Sequence, residues 1–144
     1  MTRARNALIQ AASLAAGLAT IPAAHGAEPV TVPLSQRGES YTVPVGVGGQ
    51  WRPCVIDTGA DWVVIPTSWH TTLPGMSIEH MRNADGQVSA HRAGHMTLSV
   101  GTVTLPNVNV VLGDGDCLLG QSFLARFRSV TFDYAGKRLI LGGL

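Results

Sequence analysis

Charge is scarce and balanced in this chain: 10 Lys and Arg stand against 9 Asp and Glu in 144 residues, a formal net charge of +1. Once Arg3 and Arg5 are set aside, the part after residue 26 keeps 8 basic and 9 acidic residues. Neither nucleic acid nor an anionic membrane surface is implied as a partner. Cysteine is nearly absent. Cys54 and Cys117 are the two present, enough for one disulfide in an oxidising compartment or for two buried thiols, and neither comes with a His motif that would make it a nucleophile. No internal repeat and no low-complexity tract follows residue 26. A metal ligand set is also lacking. His70, His80, His91 and His95 are scattered; His91 and His95 would share one face of a predicted strand, but their flanks are uneven and they read as surface histidines. Asp114-Gly115-Asp116 is too short for a calcium loop and reads as a turn. No cofactor is called for.

What is present begins with an N-terminal leader. Arg3 and Arg5 precede an almost uncharged, Ala- and Leu-rich run from Ala7 to Ala24, with small residues around Ala24-His25-Gly26-Ala27. That layout predicts a secretory signal peptide at residues 1–26, cleaved after Gly26 or Ala27. Its Ala content and the polar Asn6, Gln10, Ser13 and Thr20 weaken it against the roughly 20 strongly apolar residues of a spanning helix. An uncleaved anchor in the inner membrane is the alternative. Either way the working domain is expected outside the cytoplasm, periplasmic or secreted, and free of the membrane after cleavage. The remaining residues suit one domain and fall short of a two-lobed enzyme.

Residues 27–40 read as an extended lead-in broken by Pro29 and Pro33. The domain is placed at 41–144. Tyr41, Val43, Val45 and Val47 alternate with smaller residues, Gly48-Gly49 supplies a turn, and Trp51 to Ile56 returns as a second strand. Trp62-Val63-Val64-Ile65 is a short buried strand stopped by Pro66, and Thr67 to Ala84 shows no sustained period. Strands are predicted at Gln87–Arg92, His95–Val100, Val103–Leu105 and Val108–Leu112, separated by Gly94, Gly101 and Pro106-Asn107. Cys117-Leu118-Leu119 is a further strand, Gln121 to Phe127 the one helix candidate, and Val130–Phe132 with Arg138–Leu141 a closing hairpin. Many short strands and one short helix predict an all-β fold.

The chemistry concentrates in Val55-Ile56-Asp57-Thr58-Gly59-Ala60-Asp61. A carboxylate at the end of a buried strand needs compensating partners or a proton. A shared pair uses both: two such groups in contact hold one proton between them, the ionised member activating a water while the protonated member bonds the carbonyl under attack. Thr58 offers a hydroxyl that both donates and accepts, Gly59 lets backbone N–H groups approach the carboxylates, and Ala60 leaves the cleft open. The bare Asp-Thr-Gly tripeptide would also serve as a simple turn; its apolar flanks set it apart.

Cys54-Val55-Ile56-Asp57-Thr58-Gly59-Ala60-Asp61-Trp62-Val63-Val64-Ile65, followed after an interval by Leu118-Leu119-Gly120-Gln121-Ser122-Phe123-Leu124, resembles the retropepsin-like (retroviral-type) aspartic proteases, and more closely their bacterial branch. The resemblance runs from roughly Tyr41 to Leu141. It implies a single-lobe acid protease fold that is active as a two-fold homodimer. Asp57 would be the catalytic aspartate, Thr58 the interlock between protomers and Gly59 part of the backbone that holds the water. Leu118 would line the cleft beside Ala60 and Asp61, and Asn83 to Val88, with Gly86 in its Asp85-Gly86 turn pair, would be the tip of a flap over a peptide or unfolded protein substrate. The resemblance also sets Cys54 and Cys117 on neighbouring strands near the active site. Where viral relatives carry an Arg after the second-motif Gly, this chain has Gln121, which leaves Asp61 to bind substrate or another basic residue such as Arg126. A single Asp-Thr-Gly excludes a two-lobed monomer and makes the pairing of two copies a requirement of the chemistry. The alternatives are a binding protein that keeps the scaffold without proteolysis and an exported metal-binding β protein that uses the histidines.

Overall fold

Val43, Val45 and Val47 are buried while Pro44 between them is exposed, so the alternation read from the sequence is the inside and outside of a real strand. The computed structural model describes residues 28–69 and 71–144; the expected signal peptide, its cleavage site and His70 lie outside the described residues. Eleven strands and one short α-helix make up the described part. They are β1 (Val30–Pro33), β2 (Ser35–Arg37), β3 (Ser40–Val47), β4 (Gln50–Ile56), β5 (Val63–Pro66), β6 (Ser77–Arg82), β7 (Val88–Val100), β8 (Val103–Gly113), β9 (Leu118–Leu119), α1 (Gln121–Leu124), β10 (Ser129–Asp133) and β11 (Arg138–Gly142). The fold is all-β, as expected.

Eight strands form one sheet in the order β2-β3-β4-β9-β5-β8-β7-β6, and β3 pairs with β7 as well, so the sheet curls back on itself. The space it encloses holds Val43, Val45, Val63, Ile65, Leu98, Val100, Val108, Val110, Leu119 and Phe123, all buried. Each such side chain contributes about 1.5–3 kcal/mol relative to exposure. A second, three-stranded sheet in the order β1-β11-β10 joins the two ends of the described chain, with Val32 opposite Leu139 and Val30 opposite Leu141. The extended lead-in thus supplies β1 to the three-stranded sheet and β2 to the eight-stranded one.

Tight turns explain the hairpins. Gly48 and Gly49 both take positive φ (56° and 81°) between the paired Val47 and Gln50, the conformation a two-residue hairpin loop of matching twist requires. Three local expectations are corrected. Gly94 does not divide a strand; it lies buried within β7, where a Cβ would come to 3.2 Å from the Leu73 Cβ, so the glycine serves close packing. Pro106-Asn107 does not divide β8 either. The ladder slips between Met96 and Leu98, and Asn107 takes φ 54°, a β-bulge that absorbs the extra residue. The helix is α-helical only to Leu124; the next amides, Arg126 and Phe127, bond back to Phe123 and Leu124 in a tighter 3₁₀-type spacing. That tightening keeps Phe127 buried, its ring 5.5 Å from that of Phe123. The unpatterned Thr67 to Ala84 contains a 3₁₀ turn at Thr67–Trp69 and the edge strand β6.

Candidate active site

β4 delivers the chain to Asp57; the strand is not buried throughout as expected, since only Cys54 is buried while Val55, Ile56 and Asp57 itself are half-buried. The Asp57 N–H donates to the Leu119 carbonyl at 3.2 Å, its own carbonyl accepts from Ala60 N–H at 3.3 Å, and its carboxyl Oδ1 accepts from Gly59 N–H at 2.9 Å. A Cβ on Gly59 would lie 3.3 Å from that same oxygen. Glycine therefore gives the loop its close turn around the carboxylate.

The start of α1 clamps the other side of the loop. Gln121 N–H donates to the Ala60 carbonyl and Ser122 N–H to the Asp61 carbonyl, both at 2.8 Å. The Ser122 hydroxyl accepts from Val63 N–H at 3.0 Å and donates to the Asn109 carbonyl at 2.7 Å, tying loop, helix and β8 together. Gly120 sits so close that a Cβ would collide with the carbonyl oxygens of Ala60 and Trp62. Here glycine is required by approach, its backbone being extended.

Asp57, Thr58, Gly59, Ala60 and Asp61 thus form one exposed to half-buried loop, with Leu118 on β9 beside its root. The side chain of Gln121 donates to the Thr58 carbonyl at 2.8 Å, so this residue, where viral relatives carry an arginine, braces the Asp57 loop as a neutral donor. Asp61 is exposed, and among the described residues the ion pairs are Arg37–Asp116 and Arg138–Asp133; Arg126 does not pair with Asp61. Gly86 stands apart, with φ 85° in the Asn83–Gln87 turn of the β6–β7 hairpin, at the far edge of the sheet. That turn is closed by Asn83 N–H to the Gln87 carbonyl at 2.7 Å and Gly86 N–H to the Asn83 carbonyl at 2.9 Å.

Register reveals residues that sequence reasoning missed. Val55 pairs with Leu118, Leu118 with Val64, Val64 with Val111 and Val111 with Ala93, and directly paired residues share a face. Ser77, Glu79 and Met81 of β6, with Ser89 and His91 of β7, carry that face out along the hairpin. The signal was period-two alternation outward from Leu118, usable only once the strand order was known. His91 bonds the Ser89 hydroxyl at 2.9 Å. Among the described residues no three His, Cys, Asp or Glu side chains come together as a metal site. The disulfide left open above is formed between Cys54 and Cys117, with Cα atoms 4.6 Å apart and both residues buried.

A closed single-lobe β-sheet with one Asp-Thr-Gly loop braced from a short helix defines the retropepsin-like fold. A crystal structure of a retropepsin-like aspartic protease from Rickettsia conorii superposes with a TM-score of 0.60 at 17% identity, over 79% of this chain and 89% of that one. The family model described as gag-polyprotein putative aspartyl protease matches residues 43–126, and the chain belongs to that family of retropepsin-like aspartic proteases. No curated protein sequence matches it.

Proposed function

We propose that the protein is an aspartic endopeptidase whose active site is completed when a second copy brings its own Asp57 against the first. The observation that carries this reading is the Asp57 loop itself: a half-buried carboxylate at the end of β4, held by Gly59 N–H and braced from behind by α1, in a chain with a single Asp-Thr-Gly. One such loop is half of a general acid–base pair. Across a two-fold axis the two carboxyls share one proton because two like charges in contact cannot both persist. The ionised member takes a proton from water as that water attacks the peptide carbonyl, and the protonated member hydrogen-bonds the carbonyl oxygen. The proton then returns to the leaving nitrogen. Exposed Thr58 beside each Asp57 has the hydroxyl to link the two loops, and the β6–β7 hairpin with Gly86 at its tip covers an extended peptide lying along the Val55, Leu118 and Val64 face, where Ala60 and Asp61 hold its backbone. No cofactor enters this chemistry.

A periplasmic or secreted location accords with the leader at residues 1–26 and with the disulfide, since disulfides persist in oxidising compartments. The test is cleavage of an unfolded protein by purified residues 27–144, compared with Asp57→Asn, across about pH 3 to 7 where carboxyl pairs titrate. Acid-favoured cleavage that the variant lacks supports the reading; equal activity in the variant would sink it.

A further inference from the structure

The Cys54–Cys117 disulfide joins β4 to the residue before β9, the strand whose Leu119 carbonyl holds the Asp57 N–H. Cys54 lies three residues before Asp57 on β4, and Cys117 directly precedes β9. That strand has two residues, paired with Val55 and Ile56 on one side and with Val64 alone on the other. Yet the Leu119 carbonyl accepts the Asp57 N–H, and the Cys117 carbonyl accepts the Val55 N–H at 2.8 Å. A parallel ladder this short has little cohesion of its own. The covalent bridge therefore sets the register of the strand against which Asp57 is placed.

Both cysteines are buried, Cys54 fully and Cys117 with 3% of its surface exposed. A cavity of about 410 Å³, lined by Arg37, Arg52, Trp69, Asp116 and Cys117, meets the bridge on the Cys117 side only. The mouth carries the exposed Arg37–Asp116 pair (2.8 Å). Arg52 stacks over the Trp69 ring at 5.0 Å. Asp116 balances the Arg37 charge, and Arg52 supplies a positive charge in the lining that favours an incoming thiolate.

We propose that this disulfide is a redox switch on catalysis: a small dithiol entering the cavity opens the bridge at Cys117, which frees β9 and the Asp57 loop while the rest of the domain stays folded. The thiolate forms a bond to the Cys117 sulfur as the protein S–S bond breaks, and the electron pair leaves on the Cys54 sulfur, which takes a proton. The second thiol of the reductant then displaces Cys117, leaving two protein thiols and the oxidised dithiol. The domain persists because the β3–β4, β6–β7, β7–β8 and β10–β11 ladders do not pass through β9. The inference rests on the protease reading for its activity readout, and amide exchange supplies a second readout that does not.

The experiment compares oxidised protein, protein treated with dithiothreitol and the double variant Cys54→Ala/Cys117→Ala, following cleavage, far-UV circular dichroism and hydrogen exchange. Reduction is expected to lower kcat/KM by about 10²-fold, the scale of a small misplacement of a catalytic group, and reoxidation to restore it. Exchange should quicken at Val55, Asp57 and Ala60 and stay unchanged in β10–β11, with the dichroism preserved. The double variant should match the reduced protein and ignore the dithiol. Two titratable thiols with unchanged exchange at those amides overturn the proposal, and so does collapse of the whole dichroism signal, which would make the bridge a global staple. If the oxidised protein cleaves nothing, the protease reading fails instead, and exchange at the three amides still decides the switch.

Discussion

The two ends of the candidate cleft are built in opposite ways. At the Asp57 end, four short pieces of chain (β4, β9, β5 and α1) converge, and most backbone groups of the loop have a partner, from the Asp57 carboxyl and Ala60 within the loop to Leu119, Gln121 and Ser122 beyond it. At the Gly86 end, a two-stranded hairpin extends along the edge of the sheet with Ile78 and Val88 exposed at 61% and 57%. Its hydrogen bonds are local, Arg82 to the Gly86 carbonyl, Asn83 to Ser89, Gln87 N–H to Asp85. Chemistry needs a fixed carboxylate, and a cover needs to move. The contrast teaches that this protein fixes the Asp57 loop through long-range contacts and leaves the β6–β7 hairpin to local ones, as the proposed roles of reacting group and cover require.

The strongest way to break the comparison is Asp57→Asn, which removes the carboxyl group and leaves Gly59 N–H a carbonyl acceptor. Cleavage should fall by about 10³-fold or more, with thermal unfolding little changed. Gly120→Ala attacks the fixed end sterically, since its methyl would strike backbone at Ala60 and Trp62. A loss of about 3 kcal/mol in urea unfolding is expected, together with loss of activity. Ser122→Ala removes an acceptor for Val63 N–H and a donor to the Asn109 carbonyl, for about 1–3 kcal/mol by the same measurement. Gly86→Ala at the hairpin end meets open space and only the strain of φ 85°. It should cost about 1 kcal/mol and alter KM more than kcat in steady-state kinetics; an effect on kcat as large as that of Gly120→Ala would erase the distinction between the two ends.

The smallest effect lies in the β10–β11 hairpin, outside both regions. Arg138 hydrogen-bonds the Asp133 carboxyl, and Gly136 N–H donates to it at 2.8 Å. Together they hold Asp133 below the ordinary carboxylate value of 3.8. A folded-state value below the unfolded one stabilises the protein above the unfolded value and loses that contribution as pH falls through the folded one. The stability difference between wild type and Asp133→Asn should therefore be small at neutral pH and vanish on acidification below 3.8. Paired urea titrations along a pH series check it; a difference that grows with acid would contradict the sign.

Legibility followed the range of the interaction. Val43, Val45 and Val47 declared their strand because alternation is local, and Asp57-Thr58-Gly59 was found because its apolar flanks are contiguous with it. The helix was overread by three residues because Phe123 and Phe127 would share a helical face, while a tighter turn satisfies the same burial. Gly94 and Pro106-Asn107 looked like breaks because nothing in the sequence tells a glycine used for packing, or a bulge, from a turn.

By itself the sequence determined an all-β chain with one Asp-Thr-Gly between apolar flanks and two cysteines that either pair or stay free, since local periodicity and contiguous motifs depend on neighbours along the chain. Only the tertiary structure decided that β1 pairs with β11, that Cys54 and Cys117 are joined, that Ser122 locks the loop to β8, and that Val55, Val64, Met81 and Ser89 share a face with Leu118. Those facts depend on which strands lie side by side. Strand order is chosen by the burial of the whole core, and no stretch of sequence contains it.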